Sequence, residues 1–115
     1  MNESSTDSMP AEELRESIAA QLRVVTDALS SDLPDRWGQV DLEFSLDSAT
    51  GLSLDGRHLD LSGEAIQEQL LPFELIDEMV QLIELLQLTE KDSVLLGGTL
   101  SLNKSTGVTI GLNWV

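Results

Sequence analysis

One long periodic run constrains the fold more than any other feature of this chain. Residues 71–88, LPFELIDEMVQLIELLQL, repeat apolar side chains at the spacing of an α-helix, about 100° per residue. A broad apolar arc indicates that this helix packs on a core, and the arc contains Leu75, Ile76, Met79, Val80, Leu82, Ile83 and Leu86. The opposite arc carries four carboxylates, on Glu74, Asp77, Glu78 and Glu84. The predicted helix therefore has an acidic stripe on the side that faces away from the core.

The end of this helix mixes apolar and acidic side chains. Leu85 and Leu88 fall into the acidic arc, where a solvated helix face would carry polar groups. Either the helix unwinds after Leu86, or two leucines lie exposed beside carboxylates. An apolar contact surrounded by acids is typical of a docking site for a basic protein. The alternative is that the acidic stripe is an ordinary solvated face.

The first half of the chain contains another helix and several strands. A helix is expected from Pro10 to about Leu29, with an apolar seam narrower than that of the later helix. Residues 37–47 then alternate apolar and polar side chains, which predicts a strand. The same alternation over 52–61 is interrupted by Asp55-Gly56, a pair typical of hairpin turns, so we expect two strands here. The segment that follows, 62–70, fits a loop or a short helix capped by Ser62.

The last part of the chain returns to a period of two. Residues 94–102 and 108–114 form a predicted hairpin around the turn at 103–107, and Gly97-Gly98 marks a bulge or a close backbone approach. The predicted order is α-β-β-β-α-β-β. We expect an α+β two-layer sandwich, in which an antiparallel sheet of about five strands carries both helices on one face. Residues 1–9 are expected to be a disordered leader, and 10–115 a single domain.

Negative charge is concentrated on particular faces of the predicted elements. The first strand places Asp41, Glu43 and Asp47 on its outer face, whereas the outer positions of the last hairpin are small and neutral. The chain has 21 acidic and 6 basic residues among 115, a net charge of −15. Such a charge repels nucleic acid and anionic membranes, and it favours a basic protein partner. The alternative is that the acidity only keeps the protein soluble.

Residue composition also restricts the chemistry. There is no cysteine, which excludes a disulfide framework and a thiol nucleophile and suits a reducing cytoplasm. The amino terminus lacks the basic and apolar regions of a signal peptide, and no stretch has the length of a membrane span. No nucleotide-binding glycine motif or serine elbow is present.

The single histidine offers the only candidate metal or acid–base cluster. His58 lies near Asp55 and Asp60, but on a strand His58 and Asp60 share a face that we expect to be solvated. Metal sites need convergent ligands, so a surface histidine is the favoured interpretation. We therefore expect a protein that is not an enzyme and that uses no metal and no cofactor.

Two stretches carry a resemblance to a known family. Residues 33–42, LPDRWGQVDL, and 100–114, LSLNKSTGVTIGLNW, together resemble the YezG-like immunity proteins of bacterial polymorphic-toxin systems. That family has a Pro-x-x-Trp corner before its first strand and a glycine-turned hairpin that ends in an aromatic residue, usually Tyr where this chain has Trp114. The resemblance implies a small cytoplasmic protein that binds and neutralises a cognate toxin, often a nuclease.

A second family is similar in size, acidity and predicted element order. Class I type III secretion chaperones are acidic cytoplasmic homodimers that hold an extended segment of an effector protein. They usually end in a helix, whereas this sequence ends after a strand. We expect an immunity protein, either a monomer or a homodimer, whose partner is a toxin or effector with a basic surface. The candidate contact residues are Asp41, Glu43, Asp47, Glu74, Asp77, Glu78, Glu84, Leu85 and Leu88.

Overall fold

The structure consists of two helices and four strands. The computed structural model describes residues 10–31, 33–47, 49, 51–67 and 71–115, so the expected leader at 1–9 lies outside the described residues. The elements in chain order are α1 (Ala11–Ser30), β1 (Trp37–Asp47), β2 (Gly51–Asp60), α2 (Glu74–Gln87), β3 (Leu95–Asn103) and β4 (Gly107–Trp114). The predicted α+β class with an antiparallel sheet is confirmed, with four strands rather than five.

The sheet has the strand order β2-β1-β3-β4, and every neighbouring pair is antiparallel. β1 is central, since it pairs with β2 along one side and with β3 along the other. The turn between β3 and β4 is closed by Asn103, whose Oδ1 accepts hydrogen bonds from the amides of Ser105 (2.9 Å) and Thr106 (3.1 Å). Gly107 follows at φ +93°, a conformation that glycine adopts at low cost.

The hairpin expected at Asp55-Gly56 is wrong. β2 runs straight through this pair, and Gly56 lies opposite Leu42 in the β1 register without a positive φ. The side chain of Leu71 explains the glycine, because a Cβ at Gly56 would lie 2.7 Å from the Leu71 Cδ2. Gly56 therefore lies at a close contact with Leu71 and not in a turn. The two strands expected here form the single strand β2.

Because β2 is continuous, His58 lies on the opposite face of the sheet from the one expected. It pairs with Val40, its side chain points to the inner face, and it is only 4% exposed, so the prediction of a solvated histidine is wrong. Leu59, expected to point inward, lies opposite Gln39 on the outer face. Burial lowers the pKa of His58 below its usual value of 6.5, because a charged imidazolium loses its hydration there.

Helix α2 packs on the inner face of the sheet, and α1 packs on α2. Leu75, Met79 and Leu82 of α2 are fully buried in one cluster with inner-face residues of the sheet. Burial of each such side chain contributes about 1.5–3 kcal/mol. The helix α1 packs mainly on α2 and adds Val25 and Leu29 to the same cluster, so its seam lies at the flank of the core, as expected.

The apolar arc of α2 is narrower in the structure than the sequence indicates. Ile76 and Val80 are 50% and 40% exposed, so they lie beside the core rather than in it. Phe73, immediately before the helix, is 93% exposed. The reason is that α1 covers the opposite flank of α2, where the Gln21 side chain donates to the Glu78 carboxylate (2.9 Å) and backbone carbonyl (2.8 Å).

The expected irregularity at Gly97-Gly98 is present. The register of β3 against β4 shifts between Leu95 and Gly97. A Cβ at Gly97 would collide with the carbonyl oxygen of Phe44 on β1, so the two backbones approach too closely for any side chain. The alternative short helix at 62–70 is not formed over 61–67, where the chain makes turns and a bridge between Leu59 and Ala65, and 68–70 lie outside the described residues.

Candidate functional site

The outer face of the sheet carries polar side chains from all four strands. Both helices lie on the inner face, so the outer side chains meet no other element that the structure describes. The central strand β1 contributes Gln39, Asp41 and Glu43, and β2 contributes Asp55 and Arg57 beside them. β3 contributes the neutral side chains of Thr99, Ser101 and Asn103. Negative charge is therefore concentrated on the β1–β2 half of this face.

Asp41 is held in place by three side chains. Its Oδ1 accepts hydrogen bonds from Gln39 Nε2 (2.8 Å) and Ser101 Oγ (2.8 Å), and its Oδ2 lies 3.5 Å from Arg57 Nη2. Partial burial opposes ionisation, but these three interactions outweigh it and lower the pKa of Asp41 below its usual value of 3.8. Asp41 therefore remains a fixed negative charge whose oxygens are already engaged.

Glu43 and Asp55 form an unusual pair next to this network. They lie directly opposite each other in the β1–β2 register, and both are exposed. Within the described ranges the only cation on this face, Arg57, pairs with Asp41. Opposed like charges on neighbouring strands are unfavourable, by up to about 1 kcal/mol. Among the described residues, the pair is thus the negatively charged part of this face that has no ion-pair partner.

Two shallow depressions meet at this pair. One, of about 380 Å³, extends along Gln39, Asp41, Arg57 and Ser101, and the other, of about 260 Å³, extends toward Ser45, Ser53 and Asn113. Glu43, Asp55 and Thr99 line both of them. The open carboxylates therefore lie where the surface is concave, so a side chain from another molecule can reach both.

The third acid predicted on β1 has a local role. Asp47 is exposed at the end of the strand, and its Oδ1 accepts a hydrogen bond from the amide of Ala49 (2.7 Å). A carboxylate that bonds the backbone two residues later stabilises a turn. Asp47 thus belongs to the β1–β2 connection rather than to the centre of the face.

The acidic stripe of α2 lies on the other side of the molecule. Glu74, Asp77 and Glu84 are exposed, as expected for the side of the helix away from the core. Glu78 is instead half-buried at the contact with α1, where Gln21 binds it. The sheet separates these acids from those of β1 and β2, so the structure does not combine the two acidic sets into one surface.

The two leucines of the stripe differ in their exposure. Leu85 is half-buried. Leu88, just after α2, is 41% exposed and lines a groove of about 340 Å³ between the helices. The other residues of that groove are Ala11, Leu14, Arg15, Ile18 and Thr89. Leu88 thus lies in a groove shared by the two helices, and a role of either leucine in partner binding stays a prediction.

Sequence reasoning missed Asp55 as a member of the candidate site. It assigned this residue to a turn, whereas Asp55 is an outer-face residue in the middle of β2. The signal that could have identified it is the unbroken alternation of Leu52, Leu54, Gly56 and His58. The exposed apolar residues Phe73, Ile76 and Val80 are a second feature that the helical pattern did not reveal.

The described residues offer no metal centre. Within the described ranges, no group of three or more histidine, aspartate and glutamate side chains could hold a metal ion. Among the same residues, neither helix is long and apolar enough to cross a membrane. That the protein is not an enzyme stays a prediction.

No family model matches the sequence, and no curated protein matches it significantly.

Proposed function

We propose that this chain binds a basic protein through the outer face of its sheet, and that the partner is a bacterial toxin which it neutralises. The observation that carries the proposal is the open pair of Glu43 and Asp55. A surface that keeps two carboxylates opposed without a cation is under a small electrostatic penalty. A lysine or arginine from a partner removes that penalty and makes charge-assisted hydrogen bonds.

The surroundings of the pair favour one specific geometry of contact. Among the described residues, the ion pair of Arg57 is with Asp41 (3.5 Å) rather than with Glu43 or Asp55. Ser101 and Gln39 hold Asp41 on the other side, which fixes a third negative charge near the pair. A cationic side chain that enters the depression thus meets one carboxylate held by hydrogen bonds, that of Asp41, beside the two open carboxylates.

The net charge of −15 supports the same proposal at longer range. A strongly negative chain attracts a basic protein before contact and raises its rate of association. Nuclease toxins have cationic active sites because they bind nucleic acid, and an acidic protein that covers such a site blocks its substrate. The resemblance to YezG-like immunity proteins implies this role, and cytoplasmic localisation belongs to the same proposal.

A secretion chaperone is the alternative function. It shares the preference for a basic or extended protein partner, and Phe73, Ile76 and Val80 would suit an apolar segment of an effector. In that case the exposed flank of α2, rather than the sheet, would carry the binding. The two functions therefore predict different sensitive residues.

Protection of a toxin-producing cell tests the proposal. The chain is co-expressed with the toxin encoded beside it in its genome, as wild type, as Glu43→Gln/Asp55→Asn and as Glu74→Gln/Glu84→Gln. Each double variant removes two exposed carboxylates, so they are matched in charge. We expect protection to be lost only in the first double variant. Full protection by that variant would contradict the proposal. A further variant, Phe73→Ser, tests the exposed flank of α2, and loss of protection in this variant alone would favour binding through that flank.

A further inference from the structure

The two edges of the sheet are built differently. The β2 edge carries the exposed charges of Asp55 and Arg57, and a following segment covers part of it. There the amide of Ile66 donates to the carbonyl of His58 (2.8 Å), and the amide of Asp60 donates to the carbonyl of Glu64 (2.8 Å). Charges and covering segments are the usual means by which proteins prevent a strand edge from pairing with another chain.

Among the residues that the structure describes, the β4 edge has none of these features. Its sequence, GVTIGLNW, contains no charged residue and no proline, and β3 is its only partner strand in the described residues. Apolar side chains at alternate positions lie half-buried on the inner face: Val108, Ile110, Leu112 and Trp114. An uncharged, regular edge strand of this kind is a template for a further strand.

The backbone groups that face the free edge can be assigned. Val115 and Val94 exchange both of their backbone hydrogen bonds, at 2.9 Å each, so the polar groups of Val115 point toward β3. Orientation alternates along an antiparallel strand, so Asn113, Gly111 and Thr109 also point toward β3. The amides and carbonyls that face outward are those of Val108, Ile110, Leu112 and Trp114.

The distribution of charge along the sequence indicates which partner can pair with the β4 edge. All 21 acidic residues precede Ser93, and Lys104 is the only charged residue from there to the end of the sequence. Two copies of a chain with a net charge of −15 repel each other through most of their surfaces. The β3–β4 hairpin is the part through which they can approach without opposing carboxylates, and it offers nothing to a basic partner.

We infer that two copies of this chain pair through their β4 strands, in antiparallel orientation about a twofold axis. The outward-facing residues at 108, 110, 112 and 114 are symmetric about Gly111, so one register pairs all four with their counterparts. That register places Gly111 opposite Gly111 of the second copy and forms about eight backbone hydrogen bonds. The two sheets become one, and the half-buried inner side chains of both β4 strands extend the apolar layer.

This dimer is independent of the proposed function. The Glu43–Asp55 pair lies on the β1–β2 half of the sheet, separated from the β4 edge by β3. Each copy also has its own core, so a folded monomer exists at low concentration. The dimer would therefore present two copies of the acidic face without using either.

Gly111 is the position at which to test the inference. It is exposed, its φ is not positive, and a Cβ built on it meets no atom within 4 Å, so a side chain fits there without strain. Gly111→Glu and Gly111→Lys each place like charges opposite each other at the twofold axis. Gly111→Gln is the neutral control of similar size.

Sedimentation equilibrium of the full chain over a range of concentrations gives the result. We expect the wild type and Gly111→Gln to dimerise. Gly111→Glu and Gly111→Lys, each measured alone, should associate about fivefold more weakly. An equimolar mixture of the last two should form a heterodimer. A wild type that is monomeric throughout would overturn the inference. So would charged variants that dimerise normally, loss of the dimer in Gly111→Gln, or a mixture that stays monomeric.

Discussion

Glu43 on β1 and Asp55 on β2 lie directly opposite each other, both exposed and neither in an ion pair within the described part of the chain. Neighbouring Asp41 has three hydrogen-bond donors, so the contrast lies within one small region of the sheet. One carboxylate is used to organise the surface, and the other two have no ion-pair partner among the described residues.

Removing one charge of the open pair should stabilise the free protein. Asp55→Asn eliminates the repulsion with Glu43, so we expect the free energy of unfolding to rise by about 0.5 kcal/mol at low salt, with a smaller gain at high salt. Urea denaturation measures the change. Glu74→Gln is the control, since that residue has no carboxylate opposite it on a strand. A loss of stability in Asp55→Asn would show that the carboxylate has a structural partner.

Asp41 should behave in the opposite way. Asp41→Ala removes the acceptor of Gln39 and Ser101, and we expect a loss of about 1 kcal/mol, small because water still reaches the site. Its lowered pKa means that the contribution is present above 3.8 and is lost as the pH falls further toward the folded-state pKa. Denaturation of Asp41→Ala and Ser101→Ala at neutral pH checks the first statement. Equal stability of wild type and Asp41→Ala would argue against an organising role.

His58 should make the protein sensitive to mild acid. Its pKa is lowered by burial in the folded state, so below about pH 6.5 the unfolded chain takes up a proton that the folded chain does not. Stability should therefore decrease from pH 7 toward pH 5, and the decrease continues until the folded-state pKa is reached. Urea denaturation of the wild type and of His58→Gln at several pH values isolates the effect. The same pH dependence in both proteins would contradict a buried neutral histidine.

Two glycines on the hairpin side of the sheet should respond differently to alanine. Gly97→Ala directs a methyl group at the Phe44 carbonyl, and we expect a loss of about 2 kcal/mol or more, because neither backbone can move easily. Gly111→Ala enters open space and should be neutral or stabilising by about 0.5 kcal/mol. Thermal denaturation of both variants gives the comparison. Similar losses of stability in Gly97→Ala and Gly111→Ala would mean that β1 and β3 leave room for a methyl group at position 97.

Most of the fold follows from periodicity. Each helix and the strands β1, β3 and β4 have a pattern that fits one type of element, and the turn at 103–107 has a glycine where a positive φ is required. The acidic outer face of β1 was also predicted, because alternation along a strand separates Asp41 and Glu43 from Val40 and Leu42. Local patterns suffice where each side chain's face depends only on its position along one element.

The remaining features depend on contacts between elements. Asp55-Gly56 is a turn signal in isolation, but in the structure Gly56 lies within a strand and against the side chain of Leu71, a contact that a sequence pattern does not show. The missing turn then shifts the alternation by one residue, which moves His58 inward and Leu59 outward. The position of α1 likewise decides that Glu78 is covered and Ile76 exposed. These outcomes are set by packing between elements far apart in the sequence.

The rate of association with the toxin distinguishes binding at the outer face of the sheet from binding at the exposed side of α2. The association rate constant with the purified toxin is measured for two variants of this chain, Glu43→Lys/Asp55→Lys and Glu74→Lys/Glu84→Lys, which have the same net charge. If the outer face of the sheet binds the toxin, the first variant associates at least about tenfold more slowly than the second. Urea denaturation of both variants confirms that each is folded. Equal rates for the two variants, or a greater loss in the α2 variant, would contradict the account.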